Sequence, residues 1–185
     1  MARLVRAALI LLLTVASVSA EERFAPLSEP RTVALMRHAL APGTSDPAGF
    51  RLGDCTTQRN LDARGRQQAR DIGVAIRAAG VSVDRVVTSQ WCRCRETAEL
   101  LALAVVEDAP FLNSFFEDRS TADDQTAALT AFLADLPPDE TVVLVTHQVN
   151  ITALTGRGVG SGEVFLLRIG EDGAIRVLDE VLIAP

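Results

Sequence analysis

The sequence predicts an α/β protein, a three-layer α/β/α sandwich with a mostly parallel central sheet. Short apolar runs alternate with helical patterns along the chain, which is typical of parallel strands joined by helices. Two of these runs, residues 33–36 and 142–145, lead into the only two histidines, His38 and His147. Buried parallel strands have this composition, and ligands bind beyond the carboxyl ends of such strands. We therefore expect the two imidazoles to share one site.

The first twenty residues predict a secretory signal peptide. Two arginines give a positive start, residues 7–16 are almost wholly apolar, and the small residues 18–20 offer a cleavage point. The alternative is a membrane anchor that stays attached, but the apolar stretch is shorter than the about 20 residues that a span needs. We expect residues 1–20 to be removed, leaving one domain, residues 21–185, that is periplasmic or secreted and has no stable membrane anchor.

Helical and extended patterns alternate after the first strand. A helix is predicted from Asp62, its N-cap, to just before Gly80. Its apolar stripe recurs at three- and four-residue spacing and consists of Ala69, Ile72, Ile76 and Ala79. A strand over 84–88 follows, and a second helix is predicted from about Cys94 into Ala104. The side chains expected to face inward from this helix are Ala98, Leu101 and Val105.

The second half begins with an irregular stretch and then a third helix. This helix is predicted to start near Ser120, where Asp123 has capping-box spacing, and to end at two prolines. Its expected buried face consists of Leu129, Phe132, Leu133 and Leu136. His147 should open a short helix. Two closing strands, 163–169 and 174–183, flank a glycine-rich turn and favour a hairpin.

The charge composition excludes several kinds of chemistry. All 18 basic residues are arginine, so mechanisms that need lysine, such as Walker-type phosphate loops and Schiff bases, are excluded. The 24 acidic residues give a formal net charge of −6. Nucleic acid is therefore not an expected partner, because binding a phosphate backbone needs a basic surface.

The three cysteines, Cys55, Cys92 and Cys94, would meet an oxidising compartment after export. The short spacing disfavours a bond between Cys92 and Cys94. The sequence leaves open a bond from Cys55 to either of them, or free buried thiols. No CxxC pair is present and histidines are few, so we predict neither a metal site nor a cofactor.

Four candidate site residues follow three of the predicted strands. Arg37 and His38 follow the first strand, Arg93 lies at the next strand-to-helix junction, and His147 precedes the short helix. Planar guanidinium groups suit an anion with several oxygens, and the N–H groups at a helix start add to such a site. A neutral imidazole is a competent nucleophile towards phosphorus. The pattern thus indicates a phosphoryl site.

Ordered motifs along the chain resemble those of the histidine phosphatase superfamily, which has the phosphoglycerate mutase-like fold. An Arg-His pair follows the first strand, here as Arg37-His38-Ala39. The Leu-x-x-x-Gly-x-x-Gln-Ala signature is matched by Leu61, Gly65, Gln68 and Ala69. The Ser-x-x-x-Arg-small-x-x-Thr-Ala signature is matched by Ser89, Arg93, Cys94, Thr97 and Ala98. An apolar strand then ends in the second histidine.

The resemblance implies a role for each matching residue. His38 would become phosphorylated, and Arg37, Arg93 and His147 would bind the phosphoryl group. Arg59 precedes the leucine signature, where the family often has another arginine that assists binding. The roles implied here come from the family and not from spacing.

Two positions depart from the family pattern. Ala39 replaces the usual glycine, and we expect this change to be tolerated. The family commonly supplies a glutamate as proton donor after the second helix, where this chain has Ser114. Glu117 is the leading candidate for this acid and Asp118 is the alternative. A related branch uses an aspartate directly after the second histidine, where this chain has Gln148.

The resemblance implies an exported phosphatase that hydrolyses phosphomonoesters through a phosphohistidine on His38. The expected partner is a small phosphorylated substrate such as a phosphosugar or a lipopolysaccharide-linked phosphate, since exported bacterial relatives include a lipopolysaccharide core heptose phosphatase. The alternative is a non-catalytic module that keeps the pocket and binds phosphate or a phosphosugar.

Overall fold

A computed structural model describes residues 19–185 of the chain. The predicted signal peptide therefore lies outside the described residues, apart from Ser19 and Ala20. Within the described part, no helix is long and apolar enough to cross a membrane.

One six-stranded sheet forms the centre of the molecule. In chain order its strands are β1 (Thr32–Arg37), β2 (Arg85–Thr88), β3 (Val106–Asp108), β4 (Val142–Thr146), β5 (Val164–Ile169) and β6 (Ile175–Val181). Their order across the sheet is β3-β2-β4-β1-β5-β6. The first four strands pair in parallel, whereas β5 and β6 form an antiparallel hairpin beside β1. The predicted mostly parallel sheet and the closing hairpin are confirmed.

Helices cover both faces of the sheet. They are α1 (Ala20–Phe24), α2 (Ala63–Ala78), α3 (Cys92–Leu101), α4 (Ala122–Asp135) and α5 (Gln148–Thr155). Alternate residues of β1 point to opposite faces: Met36 packs in the cluster that contains Ile72 of α2, and Leu35 packs in the cluster that contains Leu129 of α4. This alternation gives two cores and confirms the three-layer arrangement.

Several predicted boundaries match the structure and others do not. Asp62 caps α2 by accepting a hydrogen bond from the backbone N–H of Gly65, as expected. The second helix ends at Leu101 and not at Ala104, because Ala102 adopts a left-handed conformation with φ of 50°. The prediction that Val105 faces inward is wrong, since its side chain is 80% exposed.

The stretch between α3 and α4 contains the remaining differences. Residues 106–108 form the edge strand β3, which the sequence analysis did not predict. The predicted capping box at Ser120 is absent. Thr121 is the N-cap of α4, and the Asp118 side chain accepts from the backbone N–H of Ser120 in a short 3-10 turn. A Ser-x-x-Asp spacing does not by itself place a helix start when an earlier aspartate competes for the same N–H.

The loop after β1 is held by residues of α2. A Cβ on Gly65 would lie 1.9 Å from the carbonyl oxygen of Leu40, so only glycine allows the helix to come this close. The Gln68 side chain accepts from the Leu40 N–H at 2.9 Å and donates to the carbonyl groups of Ser161 and Ile183. Gly65 and Gln68 thus fix the backbone that directly follows His38.

We predict that Gly65→Ala destabilises the protein by about 1–3 kcal/mol, because the added methyl group forces the Leu40 carbonyl away from α2. Gly158→Ala is the control, since a Cβ there meets nothing within 4 Å and Gly158 does not have a positive φ. The measurement is urea unfolding of both variants. Equal stability of the two variants would show that the close approach is not required.

Candidate active site

All six residues proposed from the sequence line one cavity of about 700 Å³. They are Arg37, His38, Arg59, Arg93, Glu117 and His147, and Asp118 lines the same cavity. The cavity lies at the carboxyl edge of the parallel strands, because His38 follows β1, Arg93 follows β2 and His147 follows β4. The structure therefore brings the two histidines together as the strand ends predicted.

His38 is buried and its proton position is defined by its neighbours. Its backbone N–H donates to the Thr146 carbonyl, and its carbonyl accepts from the Gly162 N–H, both at 3.0 Å. The ring Nδ1 lies 2.7 Å from the carbonyl oxygen of Ala39. A carbonyl oxygen only accepts, so Nδ1 carries the proton and Nε2 keeps its lone pair.

Electrostatics keep the His38 ring neutral. Burial, followed by the positive charge of Arg93, lowers the pKa of His38 well below its usual value. Arg37 and Arg59 act in the same direction. His38 therefore presents an unprotonated Nε2 at neutral pH, which is the form that an attacking imidazole needs.

Ala39 fits its position without strain. It does not have a positive φ, and its N–H donates to Thr97 Oγ1 at 3.1 Å. The Thr97 hydroxyl in turn donates to the Arg93 carbonyl at 2.6 Å. The Ala39 side chain packs in a small buried cluster with Ala41, Leu61 and Ala69. The backbone here does not require the glycine that is usual in the family.

His147 faces His38 and carries its proton on the other ring nitrogen. The two ring centroids are 5.6 Å apart. Nε2 of His147 lies 2.8 Å from Ser89 Oγ, and the Ser89 hydroxyl donates to Asn113 Oδ1, so Nε2 is the donor. Nδ1 faces the Arg93 guanidinium at 3.4 Å and accepts. Burial and the charge of Arg93 lower the pKa of His147 well below its usual value.

Three guanidinium groups surround the histidines with donors to spare. Arg37, Arg59 and Arg93 each have a buried Nε without a hydrogen-bond partner among residues 19–185. Burial, followed by repulsion from Arg93, lowers the pKa of Arg37 and lowers that of Arg59 to about 10. Arginine side chains are effectively always protonated in proteins, so these groups are cations. Convergent cations with unused N–H groups suit an anion that has several oxygens.

Asp46 is a site residue that the sequence analysis missed. One carboxylate oxygen accepts from Arg93 at 2.8 Å and from the Arg59 backbone N–H at 3.0 Å, and the other accepts from the Trp91 indole at 3.1 Å. Burial raises the pKa of Asp46, but these hydrogen bonds outweigh it and leave the pKa lowered. The ionised Asp46 orients Arg93. Asp46 is 47 residues from Arg93 in the chain, and no local pattern marks it.

The two candidate acids differ in their surroundings. Asp118 accepts from the backbone N–H and hydroxyl of Ser120 at 3.0 and 2.6 Å, and these hydrogen bonds lower its pKa. The Glu117 side chain is exposed and makes no hydrogen bond to another described residue. Of the two carboxyl groups, only that of Asp118 is held by hydrogen bonds to other described residues. Ser114, at the position where the family commonly has its acid, also lines the cavity.

The disulfide alternatives are resolved by the geometry. Cys55 and Cys92 are bonded, with Cα atoms 5.7 Å apart, and Cys94 is free and buried. The bond ties the loop before α2 to the first residue of α3, beside Arg93. Burial raises the pKa of the Cys94 thiol to about 12, so it is not a nucleophile at neutral pH. Among the described residues no three His, Cys, Asp or Glu side chains are placed to hold a metal.

Residues 33–112 match the family model described as histidine phosphatase superfamily (branch 1). Solved structures are similar over most of the described chain. The protein histidine phosphatase SixA complexed with tungstate is 18% identical, with 80% of this chain and 95% of that chain covered and a TM-score of 0.59. The mycobacterial glucosyl-3-phosphoglycerate phosphatase in complex with VO3 is 19% identical, with 84% and 100% covered and a TM-score of 0.62.

A third similar structure is the phosphoserine phosphatase from Entamoeba histolytica in complex with 3-phosphoglyceric acid. It is 14% identical, with 82% of this chain and 97% of that chain covered and a TM-score of 0.60. No curated protein matches the chain. At these identities the structural likeness shows the fold, which is phosphoglycerate mutase-like. The family-model match over residues 33–112 agrees with the superfamily that the sequence motifs indicated.

The lowered pKa values predict how stability depends on pH. As the pH falls below about 6.5, the two histidines bind protons in the unfolded chain but stay neutral in the folded chain. Each buried histidine therefore reduces the free energy of unfolding by up to ~1.4 kcal/mol per pH unit. We expect this loss between about pH 6.5 and 5, before the carboxylates titrate. Urea unfolding in phosphate-free buffer measures it. His38→Ala should have about half the slope, and an unchanged slope would contradict a neutral buried His38.

Proposed function

Because residues 33–112 match the family model of the histidine phosphatase superfamily, we propose that the chain hydrolyses phosphomonoesters through a phosphohistidine on His38. One observation carries the proposal. A neutral imidazole with a free Nε2 lies in the same cavity as three guanidinium groups that each have an unpaired Nε. Two of the similar structures are complexes, one with tungstate and one with VO3, and these two ligands are oxyanions like phosphate.

In the first step Nε2 of His38 attacks phosphorus and the ester P–O bond breaks. Arg37, Arg59 and Arg93 bind the phosphoryl oxygens and offset the charge that spreads over them in the transition state. The Nδ1–H group of His38 stays hydrogen-bonded to the Ala39 carbonyl, which holds the ring in position as its charge increases. His147 lines the same cavity, and a bound dianion would oppose the positive charges that, after burial, lower the pKa of His147.

Proton transfer at the leaving oxygen completes the first step. Glu117 in its protonated form would give the proton to the departing alkoxide, and the resulting carboxylate would then take a proton from the attacking water. Water attacks the phosphohistidine, the P–N bond breaks, and phosphate leaves with Nε2 restored. The partners proposed are small phosphomonoesters, with phosphosugars and lipopolysaccharide-linked phosphates as candidates.

We also propose that the protein is exported. The signal-peptide pattern of residues 1–20 supports export, and so does the Cys55–Cys92 disulfide, since such bonds persist in oxidising compartments. Cell fractionation of the full chain, beside a chain that lacks residues 2–20, tests this proposal. We expect only the full chain to reach the periplasm or the medium. A full-length product that stays in the cytoplasm with its leader attached would contradict export.

We predict that His38→Ala lowers kcat for 4-nitrophenyl phosphate by roughly 10³-fold or more, because the attacking atom is lost. Acid-labile, alkali-stable phosphate should be found on the wild-type chain after quenching, and none on the variant. Arg64→Ala, on an exposed part of α2, is the control and should keep its activity. Wild-type protein that binds vanadate but releases no product would instead favour the non-catalytic phosphate-binding module.

We predict that Glu117→Gln slows an alkyl phosphate far more than 4-nitrophenyl phosphate, roughly 10²-fold against less than tenfold, because a good leaving group needs little protonation. Asp118→Asn is the matched comparison. It should have the smaller effect, since the Asp118 carboxylate is ionised and bonded to Ser120. Steady-state rates on both substrates measure the contrast. If Asp118→Asn showed the larger contrast between substrates, the acid would be Asp118.

A further inference from the structure

Aromatic side chains form the outer part of the cavity. Trp91 packs edge-on against His147, with centroids 5.4 Å apart, and stacks on Phe50, with centroids 5.0 Å apart. The hydrogen bond from the Trp91 indole to Asp46 fixes this ring. Phe116 lines the same cavity and is 48% exposed. These aromatic rings therefore line the cavity from His147 towards its opening. An exposed apolar surface beside polar groups is typical of a binding site.

The charges of the cavity are divided between its inner part and its mouth. Among the described residues that line it, the cations are Arg37, Arg59 and Arg93, all assigned to the phosphoryl group. The chain has no lysine, and the nearby Arg51 is paired with Asp54 outside the lining. The mouth carries the exposed carboxyl groups of Glu117 and Asp118.

These observations bear on the part of the substrate that leaves. A dianionic phosphoryl group is matched by the arginines, but among the described residues that line the cavity a second anionic group on the leaving side would meet carboxylates and no further cation. Flat apolar surface is what the mouth offers instead. Stacking against aromatic rings favours a leaving group with an apolar face, such as an aromatic ring or the face of a sugar ring.

We propose that the site selects phosphomonoesters whose leaving group is uncharged and has a flat apolar face, and that Phe50 and Phe116 determine this preference. The proposal rests on the proposed phosphatase function. The proposed preference excludes carboxylated ligands such as the 3-phosphoglyceric acid that is bound in the similar phosphoserine phosphatase structure. The residues that would determine the preference, Phe50 and Phe116, are not among those proposed to bind the phosphoryl group.

The test uses four substrates that all leave as primary alcohols, so that the bond broken is the same. They are 2-phenylethyl phosphate, glucose 6-phosphate, ethyl phosphate and 3-phosphoglycerate. We expect kcat/KM for 2-phenylethyl phosphate or glucose 6-phosphate to exceed that for ethyl phosphate, and 3-phosphoglycerate to be at least tenfold below the best substrate. The first two substrates distinguish an aromatic face from a sugar face.

Variants assign the preference to the rings. Phe50→Ala and Phe116→Ala should each lower the ratio of kcat/KM for the preferred substrate over ethyl phosphate by roughly two- to tenfold. Leu178→Ala removes a similarly exposed apolar side chain on β6, away from the cavity, and should leave the ratio unchanged. The proposal would be overturned if this ratio were the same in Phe50→Ala, Phe116→Ala and Leu178→Ala. It would also be overturned if 3-phosphoglycerate were the best substrate.

Binding of phosphonates separates a failure of this proposal from a failure of the proposed function. We expect 2-phenylethylphosphonate to bind more tightly than ethylphosphonate, and 3-phosphonopropionate to bind most weakly, as measured by calorimetry. This order without any turnover would contradict the phosphatase function and keep the selectivity. Turnover together with the reverse order would keep the function and contradict the selectivity.

Discussion

The repulsion among one buried and two half-buried guanidinium groups, those of Arg93, Arg37 and Arg59, is the constraint on which the site depends. At an effective dielectric constant near 20, two unit charges 4 Å apart interact by about 4 kcal/mol. Asp46 offsets part of this repulsion at Arg93, and backbone carbonyl groups accept from Arg37 and Arg59. Each of the three guanidinium groups also has a buried Nε without a hydrogen-bond partner among the described residues. Under the proposed function, binding of a phosphoryl dianion would relieve this repulsion, so the positive charges are already in position before the anion binds.

The two histidines of the site carry their protons on different ring nitrogens. Both rings are neutral because burial disfavours the charged form of an imidazole and because protonation would add a further positive charge beside Arg93. His38 is tied through Nδ1 to a carbonyl oxygen, which leaves Nε2 free to attack. His147 is tied through Nε2 to Ser89, which leaves Nδ1 facing Arg93. Two identical side chains thus become suited to two tasks through their hydrogen-bond partners.

Several residues of the family signatures act on the backbone and not on the phosphoryl group. Gly65 has no Cβ, so the Leu40 carbonyl can pack directly against α2, and the Gln68 side chain accepts a hydrogen bond from the Leu40 N–H. The Thr97 hydroxyl accepts a hydrogen bond from the Ala39 N–H and donates one to the Arg93 carbonyl, which connects the loop after β1 to α3. These contacts hold the His38 ring and Arg93 at a fixed separation, which the proposed reaction would need because small displacements of reacting groups greatly lower the rate.

Sequence patterns alone determined the parallel sheet, α2 and its cap, and the convergence of both histidines with Arg37 and Arg93, because strand periodicity and strand ends are local signals. Tertiary structure decided the rest. The edge strand β3 pairs on one side only and lacks a buried run, and the left-handed Ala102 ends α3 without a glycine to mark it. Asp46 and the Cys55–Cys92 bond depend on the loop before α2 packing against the start of α3. Contacts between segments that are far apart in the chain leave no periodicity in it, so only the folded backbone reveals them.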